Sequence, residues 1–303
     1  MDLTRENMAE VFKGFQAKFA EGLQRGLMLP VELQKYRIKL DELSIVIPST
    51  TAIEIHEWLA QLPGFVEWIG ERKVTQLDFD AMRVLNRKFH QTVSVKADNL
   101  EDDKVGVYGP MFNGLGAEAG PEAFWLDLAI SALLDNGKWV DNLAFFHATR
   151  KYGKNTIANV SSNALSQDNL ITAWSTMIGY LGPKNIALGS VPTYLLTGGD
   201  LFPAAKELCE SERIADASNK ARGLLVPRMH ESIPTGRWFV LGRGKGGVSP
   251  VAVQQRKKGD MLVRKDRAED DNIFFQGEAI YGSDARGEGF KTLPHLAYAG
   301  GVS

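Results

Sequence analysis

NRKFHQTVSVKADNLEDDKVGVYGP, residues 86–110, holds the change of period on which the fold turns. Phe89, Gln91, Val93 and Val95 alternate with His90, Thr92, Ser94 and Lys96, and this two-residue period predicts a strand. After the acidic cluster Glu101-Asp102-Asp103 the pattern becomes helical. Over 105–135, Met111, Leu115, Phe124, Leu128 and Leu134 supply one apolar side, interrupted at Gly120-Pro121. Proline costs about 3 kcal/mol inside a helix but suits a first turn, so a kink or two helices end to end is expected.

Upstream, residues 65–97 read as strands. Val74, Phe79 and Val84 lie among polar residues, which predicts a long hairpin whose polar middle, Thr75–Arg87, leaves the body. Residues 31–64 are mixed, with a short run Ser44–Pro48 and a tight turn Leu62-Pro63-Gly64. Residues 3–24 form the clearest helix: Met8, Val11, Phe12, Phe15, Phe19 and Leu23 recur at three- and four-residue spacings. So aromatic a face needs a surface, either the chain's own core or a neighbouring subunit.

Downstream, residues 137–166 are rich in Asn, Gly and Ser and read as loop. A helix is expected near 167–180, a strand at Val191–Leu196 and a helix at Phe202–Glu210. Strands follow at Arg237–Leu241, Val251–Gln255, Met261–Val263 and Ile273–Tyr281. The fold class is α+β, without repeats or heptads.

Length and charge narrow the function classes less than the pattern does. The chain has 303 residues, 44% apolar and 24% charged, enough for one large domain or two modest ones. Lys and Arg number 35 against 37 Asp and Glu, so no global basic signal for nucleic acid is present. The single cysteine, Cys209, excludes an intramolecular disulfide and reads as a small core residue. The N-terminus has no apolar signal region, and no stretch approaches the roughly 18 apolar residues of a membrane span. Synthesis in the cytoplasm and no membrane partner are expected.

No motif points to catalysis. Gly242-Arg243-Gly244-Lys245-Gly246-Gly247 looks like a phosphate loop but fails the Walker spacing, and Pro250 with a strand-like run follows instead of a helix. The histidines His56, His90, His147, His230 and His295 lack local metal spacing. Glu101-Asp102-Asp103 and Glu269-Asp270-Asp271 read as solvated turns or ion-pair partners, and no nucleophile elbow is present. Neither cofactor nor metal is expected. Arg256-Lys257-Lys258 and Arg264-Lys265-Asp266-Arg267 form a basic run with acids interleaved, suited to electrostatic register between subunits.

Several segments together resemble the Mu-like phage major head subunit family, in order along nearly the whole chain. Near the start stand Phe15-Gln16 through Phe19, Gly22-Leu23 and Pro48-Ser49-Thr50-Thr51. Then come Trp58-Leu59, Leu62-Pro63, Glu67-Trp68-Ile69-Gly70-Glu71-Arg72, Asn86-Arg87-Lys88-Phe89 and Thr92-Val93-Ser94-Val95. Leu100-Glu101-Asp102-Asp103 and Val105-Gly106-Val107-Tyr108-Gly109-Pro110 follow, then Asp141-Asn142 with Phe145-Phe146-His147. The last are Trp238-Phe239-Val240-Leu241, Pro250 with Gln255-Arg256, and Tyr281 through Gly287. The tail after Gly287 departs from the aromatic, glycine-rich ending of such relatives.

The resemblance implies the Hong-Kong-97-type capsid fold. Its layout would be an N-terminal arm (1–45), an extended hairpin loop (46–100), a peripheral domain with the spine helix (101–154 and 250–303) and an axial domain (155–249). It implies a non-enzymatic shell subunit that forms hexamers and pentamers of an icosahedral virion capsid. Partners would be further copies, a separate scaffold, a portal, a decoration protein, and packaged double-stranded DNA held without sequence specificity. Aromatics and arginines are the usual interface hot spots, so Phe12, Phe15 and Phe19 are expected as arm anchors. Trp68 and Arg72 are expected at the hairpin base, with Arg256 and Arg286 at subunit contacts. The rivals are an encapsulin-like compartment shell, a nucleotide-binding enzyme using Gly242–Gly247, and a tail or decoration protein.

Overall fold

The computed structural model describes residues 5–26, 30–59, 79–102, 105–182, 185–267 and 269–302. The expected turn at Leu62–Gly64, together with Trp68 and Arg72, lies outside the described residues.

Helix α1, Arg5–Arg25, follows the predicted period. The short helices α2, Val31–Gln34, and α3, Leu40–Leu43, lead into strand β1, Ser44–Pro48. Strands β2, Ile53–Leu59, and β3, Phe79–Leu85, pair antiparallel, with Ile53 opposite Leu85 and Leu59 opposite Phe79. The hairpin expected within 65–97 therefore takes its first arm from further upstream. Its second arm ends at Asn86. That buried side chain donates to Ser49 Oγ and to the Thr51 carbonyl, both at 2.8 Å, and accepts from Gln254 Nε2 at 2.8 Å. The chain turns there, and β4, Arg87–Lys96, joins a different sheet.

Helices α4, Ala97–Asp102, and α5, Val105–Ala119, come next. A π-turn at Pro121–Trp125 then leads directly into α6, Leu126–Leu134. Pro121 occupies the first turn after Gly120, so the break falls where the sequence places it, and two helices stand end to end. The stretch expected as loop contains a small hairpin, β5 (Arg150–Tyr152) and β6 (Asn155–Ile157), turning at Gly153 with φ +63°. Helix α7, Gln167–Ile178, is capped by Ser166, whose hydroxyl accepts the Asn169 N–H at 3.3 Å.

Strand β7, Val191–Thr197, and helix α8, Phe202–Glu210, lie where expected. The strands β8, Arg213–Ile214, and β9, Ala217–Ser218, form a minimal hairpin before β10, Val226–Met229, and β11, Trp238–Arg243. Strand β12, Val251–Lys258, is followed by β13, Val263–Lys265, two residues later than expected. Ile273–Tyr281 is not one strand. Its first part belongs to helix α9, Asp271–Gln276, which ends on Gly277 in the left-handed conformation at φ +64°. Only then does β14, Glu278–Lys291, begin, and β15, Ala297–Gly300, closes the chain.

Two sheets organise these elements. In the first, β1 runs parallel to β12, β12 pairs antiparallel with β14, and β14 pairs with β13 and, along its other edge, with β4. In the second, the order is β10-β7-β11-β15. Helix α6 lies in the core between them, where Leu126, Ala129, Ile130 and Leu133 are buried with Phe239, Leu241, Val251 and Val253. Helices α7 and α8 cover the second sheet through Leu170, Met177, Ala205, Leu208 and Cys209. Burial pushes the Cys209 thiol up to about 12, as suits a core residue. Strand β15 lies beside β11, so the second sheet takes strands from both sides of residue 250. Residues 36–38 run beside β10: the Ile38 N–H donates to the Met229 carbonyl at 3.0 Å, and the Met229 N–H donates to the Tyr36 carbonyl at 2.8 Å.

Candidate assembly surface

The apolar face of α1 settles on α5 and β14 of its own chain. Phe15 stacks on Phe112 with centroids 4.0 Å apart and meets Tyr281 edge-on at 5.5 Å. Phe15 and Phe19 are fully buried. Phe12 is half-buried, stacked on Tyr281, with the Arg264 guanidinium 4.3 Å from its ring centroid. The helices approach so closely that a Cβ on Gly22 would lie 1.9 Å from the Asn113 carbonyl, and one on Gly116 would lie 2.0 Å from that of Phe19. Of the two surfaces open to this helix, the chain's own core takes it. Phe15 and Phe19 are thus occupied inside the subunit and present no surface to a neighbour in this conformation, because α5 offers both Phe112 and the glycine notch.

Arg256 and Arg286 come together across the first sheet. On β14, Arg286 stands opposite Lys88 of β4 on one side and Lys257 of β12 on the other. The pairing of β12 with β14 shifts register between Gln255 and Lys257, which leaves Arg256 in a bulge beside the row. These four cations, with Phe89, His90, Asp284 and Ala285, line an open groove of about 520 Å³. One acid, Asp284, lies within it and pairs with Lys257. Like charges directly opposite each other destabilise a sheet, so this row is a cost the isolated subunit carries.

The groove occupies the sheet face away from the helices. On the other face, a Cβ on Gly287 would meet the Trp125 ring at 2.7 Å, and one on Gly289 would meet the Leu128 carbonyl at 2.4 Å. Further along the outer face the base of the β2–β3 hairpin provides cover. His56 stacks on Phe290 at 4.8 Å and hydrogen-bonds Gln254 at 2.6 Å, while Val84 packs with Ala252 and Phe290. In sequence Phe89 showed as the first residue of a strand period, and Lys88 only as part of a family-like segment. Their place beside Arg256 and Arg286 depends on strand register.

A second feature escaped sequence reading. Phe274 and Phe275 on α9 are each 75% exposed and meet edge to face at 5.0 Å. In a strand, one of two adjacent residues would face inward; on a one-and-a-half-turn helix beyond the sheet edge, both point outward. Asn272 fastens this helix, donating to the Lys265 carbonyl at 2.9 Å and to that of Glu278.

Gly242–Gly247 runs from the end of β11 through a single tight turn, with Gly246 and Gly247 at φ +80° and +79°, and strand β12 follows it at Val251. Among the described residues no group of three or more His, Cys, Asp and Glu could hold a metal, and no helix is long and apolar enough to cross a membrane. His230 is buried beside Arg37, and burial lowers its pKa, opposed by Glu231.

The model of the Mu-like prophage major head subunit gpT family matches residues 8–152 and 227–301. The chain belongs to that family. The match takes in every strand of the first sheet and skips 153–226, where α7, α8 and the second sheet's β7 lie. Among curated relatives, the Mu-like prophage FluMu major head subunit of Haemophilus influenzae is 32% identical over 156 residues, 51% of this chain and 47% of that one. The major capsid protein of Escherichia phage Mu is 23% identical over 249 residues, 81% of this chain and 61% of that one. The chain thus spans about half to three fifths of these relatives. Among solved structures, a chain from the procapsid of bacteriophage JBD30 shares the fold, with a TM-score of 0.56 and 22% identity over 98% of this chain and 75% of that one. The gpT-family chain therefore has the capsid fold implied by its sequence segments.

Proposed function

We propose that this gpT-family chain is the major shell subunit of a Mu-like tailed-phage head, forming hexamers and pentamers of an icosahedral capsid around double-stranded DNA. The observation that carries the reading is the match of the capsid fold over 98% of the chain, joined to its family membership. The role is structural. Each subunit contributes a rigid two-sheet body, and the β2–β3 hairpin base sits on an outer sheet face. Modest contacts repeated around closed rotations become strong together while each remains reversible enough to correct errors. A net charge of −2 suits a container that touches DNA through scattered backbone contacts. Further copies, a separate scaffold, a portal and a decoration protein are its proposed partners. The virion capsid is its proposed location, after assembly in the host cytoplasm.

Negative-stain electron microscopy with sedimentation velocity tests this, on the purified chain alone and co-expressed with a candidate scaffold protein. Closed shells or five- and six-membered rings are expected. A small fixed oligomer that never closes, even with scaffold, would sink the reading. Shells filled with protein cargo and no DNA would move it to a compartment shell.

A further inference from the structure

Two exposed surfaces of the first sheet and its flanking helix have complementary chemistry, and the inference from them rests on the shell-subunit reading. The first is the basic groove. Lys88, Arg256 and Arg286 make no side-chain hydrogen bond or ion pair among the described residues, and Arg286 Nε is buried without a partner. Four cations against one carboxylate leave the groove strongly positive. The second is a knob formed by α9 and the residues just before it. Exposed Asp271 follows Glu269 and Asp270, and the knob carries the Phe274–Phe275 pair. Carboxylates pair with arginine and lysine, and phenylalanine faces attract the same cations, so one knob satisfies both demands of the groove.

The knob does not reach the groove of its own subunit. It joins β14 at Glu278, whereas the groove lies at Asp284–Arg286. Six to eight residues of strand at about 3.3 Å each separate them by roughly 20–26 Å. Both are fixed to one sheet by the β14 pairings. A second copy of the chain has no such restriction. We propose that the acidic, aromatic knob of one subunit seats in the basic groove of another, making a head-to-tail contact between copies. Such a contact uses two different patches, so it propagates around a ring instead of ending at a symmetric dimer. A phosphate backbone would satisfy the groove's charge but leave the aromatic pair uncovered.

Two full-length variants test this, each altered only at exposed side chains: a groove variant, Lys88→Glu with Arg256→Glu, and a knob variant, Phe274→Ser with Phe275→Ser. Circular dichroism melts near that of the unaltered chain confirm folding. Each variant alone is expected to lose ring and shell assembly. Mixed, they are expected to form a 1:1 heterodimer of doubled mass that grows no further, because one intact knob meets one intact groove. Variants that assemble like the unaltered chain, or a mixture that stays monomeric, overturn the contact. Loss of DNA binding in the groove variant with assembly retained assigns the groove to nucleic acid and also overturns it. The shell reading is judged separately: shells from the unaltered chain beside unaffected variants would leave it standing without this contact. Heterodimers from a chain that never forms shells would do the reverse.

Discussion

His295 lies in the single turn before β15 and is fully buried, and burial holds its pKa down to about 4 from an ordinary 6.5. Below pH 6.5 the unfolded chain takes up a proton that the folded chain refuses until about pH 4. Stability is therefore whole above pH 6.5 and falls as pH drops through that window, by about 3 kcal/mol from this residue. Urea unfolding between pH 7 and 4 should show this slope, and His295→Leu should flatten it; an unchanged slope would mean His295 does not carry it. His230, also buried and with its pKa lowered by burial, acts in the same direction, favouring the folded chain less as pH falls. Nothing around His295 in the sequence marks it as buried. Its neighbours Pro294 and Leu296 are also buried, and the spacing of a single turn carries no period.

At the scale of elements, the contact of α1 with α5 depends on two glycines. Gly116→Ala would drive a Cβ into the Phe19 carbonyl, separating the helices at a cost of about 1–3 kcal/mol. Hydrogen exchange across Arg5–Arg25 should rise accordingly. Gly114→Ala, two residues away with nothing within 4 Å, should instead stabilise by roughly 0.5–1 kcal/mol through helix propensity. Equal effects of the two would show that the notch does not hold the arm. The long periodic elements were legible because side-chain spacing alone reports them: α1, α8 and β4 lie where their patterns put them. Helix α9 was not. Ile273, Phe274 and Phe275 have strand-forming character, and six residues are too few to display a helical period. Gly277 was the available signal, a glycine where a helix must end before a strand begins.

At the scale of the molecule, residues 36–48 stitch the two sheets together, running beside β10 and then, as β1, beside β12. Arg37 secures the crossing. Its buried guanidinium donates to the Glu122 carbonyl at 2.6 Å and to Glu231 at 2.7 Å, and lies 3.3 Å from His230. Arg37→Ala should cost about 3 kcal/mol in chemical denaturation, chiefly by stranding its partners, and Arg37→Lys should recover only part, since an ammonium lacks the planar fork. Full recovery by lysine would reduce the site to a simple charge. The family-like segments, spread from Phe15 to Gly287, together with the local periods, were enough to point to the family, the fold class and the long periodic elements, because these are written in neighbouring residues. Strand partners, the inward docking of α1, the groove and the exposed phenylalanines were decided only by tertiary structure. Each depends on residues far apart in the chain: Lys88, Lys257 and Arg286 become one surface only through the register of three strands.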